Sequence, residues 1–100
     1  MGDAVRVADP DALAAYVEAL FAAEDATLSA LRAAVPEAGF PEIMVSAGVG
    51  RLLQVLLVGV GARRVLEVGT LGGYSAIWMA RALPADGRLI TIEDEPARAE

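Results

Sequence analysis

Two glutamates, a serine and a cluster of glycines carry the chemistry legible in this chain of 100 residues. The segment Glu67-Val68-Gly69-Thr70-Leu71-Gly72-Gly73-Tyr74-Ser75 joins an apolar run to a helical one, and Glu93 closes a second apolar run. In an open α/β sheet such a join lies at the carboxyl edge, where ligands bind. Gly69 frees the backbone for a tight turn, and Gly72 and Gly73 are expected to let the chain pass close to a ligand. A helix beginning near Tyr74 directs unpaired N–H groups at that ligand and favours a negative group on it. The spacing excludes two familiar phosphate loops. A dinucleotide fingerprint needs glycines at 69, 71 and 74, where the chain has Gly69, Leu71 and Tyr74, and no Gly-Lys-Ser or Gly-Lys-Thr follows. The ligand is therefore expected not to be held by a diphosphate.

The missing residue types bound the chemistry further. There is no histidine, lysine or cysteine, so the commonest general base, the commonest zinc ligand and the ammonium proton acceptor are all absent from this stretch. Fourteen acidic residues against eight arginines give a net charge of −6, which disfavours nucleic acid as a partner. The 56% hydrophobic composition suits a packed α/β protein. Met1-Gly2-Asp3 does not open a signal peptide, and the apolar stretch Leu52 to Val60 is broken by Gln54 and Gly59. No membrane partner and a cytoplasmic location are expected.

The elements that must position these residues follow from periodicity. Asp9-Pro10 has the form of a helix start. Leu13, Val17, Leu20, Phe21, Leu28 and Leu31 recur at helical spacing until Pro36, with Asp25 able to cap a second helix, and Gly39-Phe40-Pro41 is a loop. Ser46 can cap a third helix that Gly59 or Gly61 ends. Arg64 to Val68 and Arg88 to Ile92 are expected as strands buried in a parallel sheet. Between them Tyr74 to Leu83 reads as a helix closed by Pro84 and an Asp86-Gly87 turn, which makes residues 64 to 93 one βαβ unit. Tyr74 and Trp78 are expected to pack this helix on the sheet, and Pro96 starts a further helix. Two parallel strands cannot cover both faces of a sheet, so the chain is expected to be the beginning of a longer protein, inactive and poorly folded alone unless it associates.

Val65 to Ser75, followed by Leu83-Pro84-Ala85-Asp86-Gly87-Arg88-Leu89-Ile90-Thr91-Ile92-Glu93, resembles the signature of the catechol and caffeoyl-coenzyme A O-methyltransferases. Pro41-Glu42-Ile43-Met44-Val45-Ser46 and Gly50-Arg51-Leu52-Leu53 resemble the family segment that enters the third helix beside the active site. The resemblance implies a Rossmann-like α/β fold that binds S-adenosyl-L-methionine, with residues 1 to 61 as a helical entry region and 62 to 100 as the first βαβ unit. By the same resemblance Glu67 would accept a bond from the cofactor's ammonium, and Gly69 and Gly73 would permit close approach. Ser75 would hold the methionine carboxylate by its hydroxyl and N–H, and Glu93 would accept both ribose hydroxyls. Met44, Val45 and Ser46 would line the wall near the transferred methyl group, and Thr70, Leu71 and Tyr74 complete the cofactor-binding set.

The resemblance further implies methyl transfer to a hydroxyl of a small, catechol-like or caffeoyl-like molecule, in a homodimer. A divalent metal such as Mg2+ and a lysine base would lie beyond residue 100. The competing reading is a methyltransferase-like domain that binds the cofactor, or another nucleoside, without catalysing transfer.

Overall fold

The computed structural model describes residues 9–99; the N-terminal segment Met1-Gly2-Asp3 and the last residue, Glu100, lie outside the described residues. Asp9 accepts a bond from the Asp11 N–H at 3.0 Å and, with Pro10 in the first turn, opens α1 (Pro10–Phe21). The Asp25 carboxylate accepts from the Leu28 N–H at 2.9 Å and opens α2 (Ala26–Glu37), so the chain does divide at Glu24-Asp25. Pro36 does not stop this helix. It sits in the last turn, and the stop comes after it, where the N–H groups of Gly39 and Phe40 return to the carbonyls of Pro36 and Val35. Ser46 accepts from the Val49 N–H at 3.2 Å to open α3 (Ala47–Gly59). Gly61, with φ of 65°, ends α3: its N–H bonds the Val58 carbonyl and that of Ala62 bonds the Leu57 carbonyl.

The period then changes. β1 (Arg64–Val68) and β2 (Arg88–Ile92) pair in parallel, from Arg64 opposite Arg88 to Val68 opposite Ile92. Between them lies α4 (Tyr74–Ala80), shorter than its sequence suggests because the chain turns from Arg81 onward to reach Pro84. The Gly87 N–H bonds the Pro84 carbonyl and closes the turn into β2, and α5 (Pro96–Ala99) follows. This is a partial Rossmann-like fold, helices on a short parallel sheet.

The buried core is a helix junction. Ala22, Leu28, Ala47, Tyr74 and Trp78 form it, with Leu31, Met44, Val45 and Ile77 packed against it. Trp78 fills the space between α3 and α4 and accepts a bond at its carbonyl from Gln54 at 2.7 Å. α1 contributes no buried residue, and the apolar side chains of Leu13, Val17, Leu20 and Phe21 stand exposed. The strands are not buried on both faces either: Leu66, Val68, Ile90 and Ile92 are exposed, Val68 by 81%. Periodicity reports which residues share a face, while burial needs a second layer, and among the described residues only the opposite face is covered. There Val65, Glu67, Leu89 and Thr91 are half-buried, on the side from which α4 reaches Glu67.

Gly50 sets how closely α3 approaches α4, since a Cβ there would meet the Trp78 ring at 2.5 Å. Gly50→Ala gains helix propensity worth about 1 kcal/mol but overpacks a buried indole at a cost of about 1–3 kcal/mol. Gly59, also in α3, has open space around it. Denaturant unfolding is expected to show Gly50→Ala destabilised and Gly59→Ala unchanged or stabilised. Equal effects at the two positions would contradict the close α3–α4 contact.

Candidate functional site

The turn from β1 into α4 is held by an acid from the next strand. The Glu93 carboxylate follows β2 and accepts the Thr70 N–H at 3.0 Å and the Leu71 N–H at 2.8 Å on one oxygen. Its other oxygen accepts the Glu95 N–H at 3.1 Å. These bonds fix Leu71 in the left-handed region, with φ of 52°, a conformation that costs a non-glycine residue roughly 1–2 kcal/mol. The donated N–H of Leu71, then those of Glu95 and Thr70, outweigh the opposing effect of burial and hold the Glu93 carboxyl below the usual carboxylate range.

A second acid lies beneath the turn. The Glu67 carboxylate accepts the Thr91 hydroxyl at 2.9 Å on one oxygen and the Ser75 hydroxyl on the other. Because Thr91 has one hydroxyl proton and spends it on Glu67, the 2.6 Å contact between the Thr70 and Thr91 hydroxyls is a donation from Thr70. The chain of bonds Thr70 to Thr91 to Glu67, met from the other side by Ser75, links the loop, both strands and α4. Two of the four acceptor positions on Glu67 remain for another donor.

Gly73, with φ of 85°, opens α4 without a side-chain cap. The first bond of the helix runs from the Ile77 N–H to the Gly73 carbonyl, so the N–H groups of Tyr74 and Ser75 have no partner within the helix. Gly72 also has a neighbour on its other side. A Cβ there would run into Val35 of α2, so the small residue lets α2 approach the loop.

These parts surround an open cavity of about 230 Å³. The structure brings Met44, Val45, Gly69, Thr70, Leu71, Tyr74, Ser75 and Glu93 together in its lining, eight of the eleven positions named from sequence. The other three stand apart. Ser46 caps α3, Glu67 sits behind Ser75, and Gly73 is the joint on which α4 starts. Ile43, Gly72, Asp94 and Arg98 also line the cavity. Of these Arg98 gave the weakest signal, a single cation one turn past Asp94 in the helix that Pro96 opens. Among the described residues no group of three acids could hold a metal ion, and no helix is long and apolar enough to cross a membrane.

A crevice at the carboxyl end of a parallel βαβ unit, with a glycine turn on one strand and an acid on the next, has the geometry of the first half of a Rossmann-like domain. Solved structures narrow that class. The O-methyltransferase TomG from Streptomyces achromogenes, described as involved in tomaymycin synthesis and in complex with SAM, superposes with a TM-score of 0.82 at 49% identity, over 88% of this chain and 40% of that one. The O-methyltransferase from Bacillus cereus, in complex with SAH, gives 0.84 at 41% identity over 88% and 40%. The catechol O-methyltransferase of Niastella koreensis is 50% identical over 84 residues, 84% of this chain and 38% of that protein. The family model for O-methyltransferases matches residues 18–100, and the chain belongs to that family. It spans about 40% of the length of the relatives it matches.

The Glu93 bonds carry a pH dependence. The folded pKa is depressed below the unfolded value of about 4.3, so their contribution to stability is fully present above that value and is lost as pH falls through the folded pKa. The gap in thermal midpoint between wild type and Glu93→Gln is expected to stay level from about pH 7 to about pH 5 and to narrow in acid. A gap that does not change on acidification would contradict the anchoring of the loop by this carboxylate.

Proposed function

We propose that the cavity binds S-adenosylmethionine and that the protein transfers its methyl group to a hydroxyl of a small aromatic molecule. The observation that carries the reading is the convergence on one cavity of the glycine turn, the unpaired first-turn N–H groups of α4 and the Glu93 carboxylate. The donor set fits the ligand. An amino acid carboxylate suits the Tyr74 and Ser75 N–H groups, its ammonium suits the free acceptor positions of Glu67, and a ribose hydroxyl suits the one acceptor position of Glu93 that the Thr70, Leu71 and Glu95 N–H groups leave open. The bound SAM and SAH of the structural neighbours support the cofactor, and the names of the relatives support a phenolic acceptor.

When bound, the cofactor's sulfonium supplies a methyl carbon open to in-line attack by an oxygen. The residues of this chain orient it. Glu93 and the first-turn N–H groups of α4 would hold its two ends, Glu67 would lie behind Ser75 at the amino acid end, and Met44 and Val45, half-buried against the core, would form an apolar wall that excludes water from one side. The described residues supply neither the proton acceptor nor a metal ligand set, so the deprotonation of the acceptor oxygen is not assigned to them.

Calorimetric titration tests the reading. S-adenosylhomocysteine is expected to bind and NAD is not; binding of NAD in place of S-adenosylhomocysteine would contradict it. Ser75→Ala removes a donor to Glu67 and is expected to weaken S-adenosylhomocysteine by roughly 1–2 kcal/mol, the scale of a hydrogen bond to a charged group. Unchanged affinity would remove the Ser75 hydroxyl from the site.

A further inference from the structure

Two walls of the cavity come from segments thirty residues apart in sequence, and one side chain outside it touches both. Arg32, on α2, does not line the cavity. Its Nε donates to Glu24 Oε2 at 2.9 Å and its Nη2 to the Val45 carbonyl at 3.0 Å. Its guanidinium lies over the Tyr74 ring, 4.4 Å from the centroid. The Tyr74 hydroxyl donates to the same Glu24 oxygen, which closes the cluster. Val45 and Tyr74 both line the cavity, and Tyr74, the first residue of α4, is 2% exposed.

We propose that Arg32, seated by Glu24, is a positioning residue for the S-adenosyl site, holding the Met44-Val45 wall at a fixed distance from the start of α4. The inference rests on the cofactor reading above and adds residues that touch no ligand. The geometry requires a guanidinium. Its planar fork meets a carboxylate oxygen and a carbonyl in one plane and lays its face on a phenol ring, three contacts that a lysine ammonium cannot make together. The cluster is worth holding because its parts are partly desolvated: the Glu24 side chain is only 19% exposed. Burial pushes the Glu24 pKa up, but the bonds from Tyr74 and Arg32 and the Arg32 charge outweigh it, so the carboxyl stays ionised and the cluster charged at neutral pH. Without Arg32 the Val45 carbonyl loses its side-chain donor, and nothing in the cluster then ties α2 to the segment that carries Met44.

The test compares cofactor affinity with folding. S-adenosylhomocysteine is titrated into wild type, Arg32→Gln, the double variant Arg32→Gln/Glu24→Gln and Arg32→Lys, with the folded fraction of each followed by circular dichroism at the same temperature. Folded Arg32→Gln and the double variant are expected to bind about tenfold more weakly, the equivalent of one charge-assisted hydrogen bond. Arg32→Lys, which keeps the charge but cannot span Glu24 and the Val45 carbonyl, is expected to fall between them and wild type. If Arg32→Gln does not fold, the double variant, which leaves no lone buried charge, and Arg32→Lys carry the test. Wild-type affinity in the folded variants would overturn the inference and leave the cofactor reading standing. Failure of wild type itself to bind S-adenosylhomocysteine would overturn both.

Discussion

The site depends on one carboxylate at the end of β2. By accepting two consecutive N–H groups, those of Thr70 and Leu71, Glu93 fastens the turn after β1 to the strand beside it. That bond pair carries a leucine in a backbone conformation it would not choose alone, and so gives the loop one shape rather than several. The side of the cavity that the loop and α4 supply follows from that shape. It aims the start of α4 at the crevice, and it puts the acid where a ligand on the carboxyl edge of the sheet must pass.

Beneath this lies a polar layer in an otherwise apolar join of sheet and helix. Glu67 is tolerable at the end of β1 because hydroxyls from β2 and α4 donate to both of its oxygens. The helices then brace the crevice from outside. Trp78 seats α4 against α3 where Gly50 leaves room, Val35 seats the loop where Gly72 leaves room, and Arg32 joins α2 to the wall at Val45. The buried core is therefore a helical socket for the loop and α4, and the far face of the sheet has no part in it.

The parts that sequence reveals best are the local ones. Asp9, Asp25 and Ser46 all cap the helices they were expected to cap, and both strands run over the expected residues, because caps and β-branched runs are decided by neighbours in the chain. Pro36 misled because proline is tolerated where a helix ends by returning its last N–H groups. Burial could not be read for α1, since an apolar stripe shows a preference for a partner and not the partner itself, whereas an uncovered sheet face follows from there being two strands. The glycine turn does line a cavity, while the contact of Gly72 with Val35, far off in the chain, has no local mark. The Glu24–Arg32 pair spans the break between two helices and has no periodic spacing that would mark it.

The central claim is that Glu93 and the first turn of α4 hold the two ends of an S-adenosyl ligand. A crystal structure of the protein soaked with S-adenosylhomocysteine tests it most directly. A ribose hydroxyl is expected within about 2.6–3.2 Å of the Glu93 carboxylate, and the amino acid carboxylate at the same range from the Tyr74 or Ser75 N–H groups. A ligand bound with its ribose away from Glu93, or with its carboxylate away from the start of α4, would contradict it.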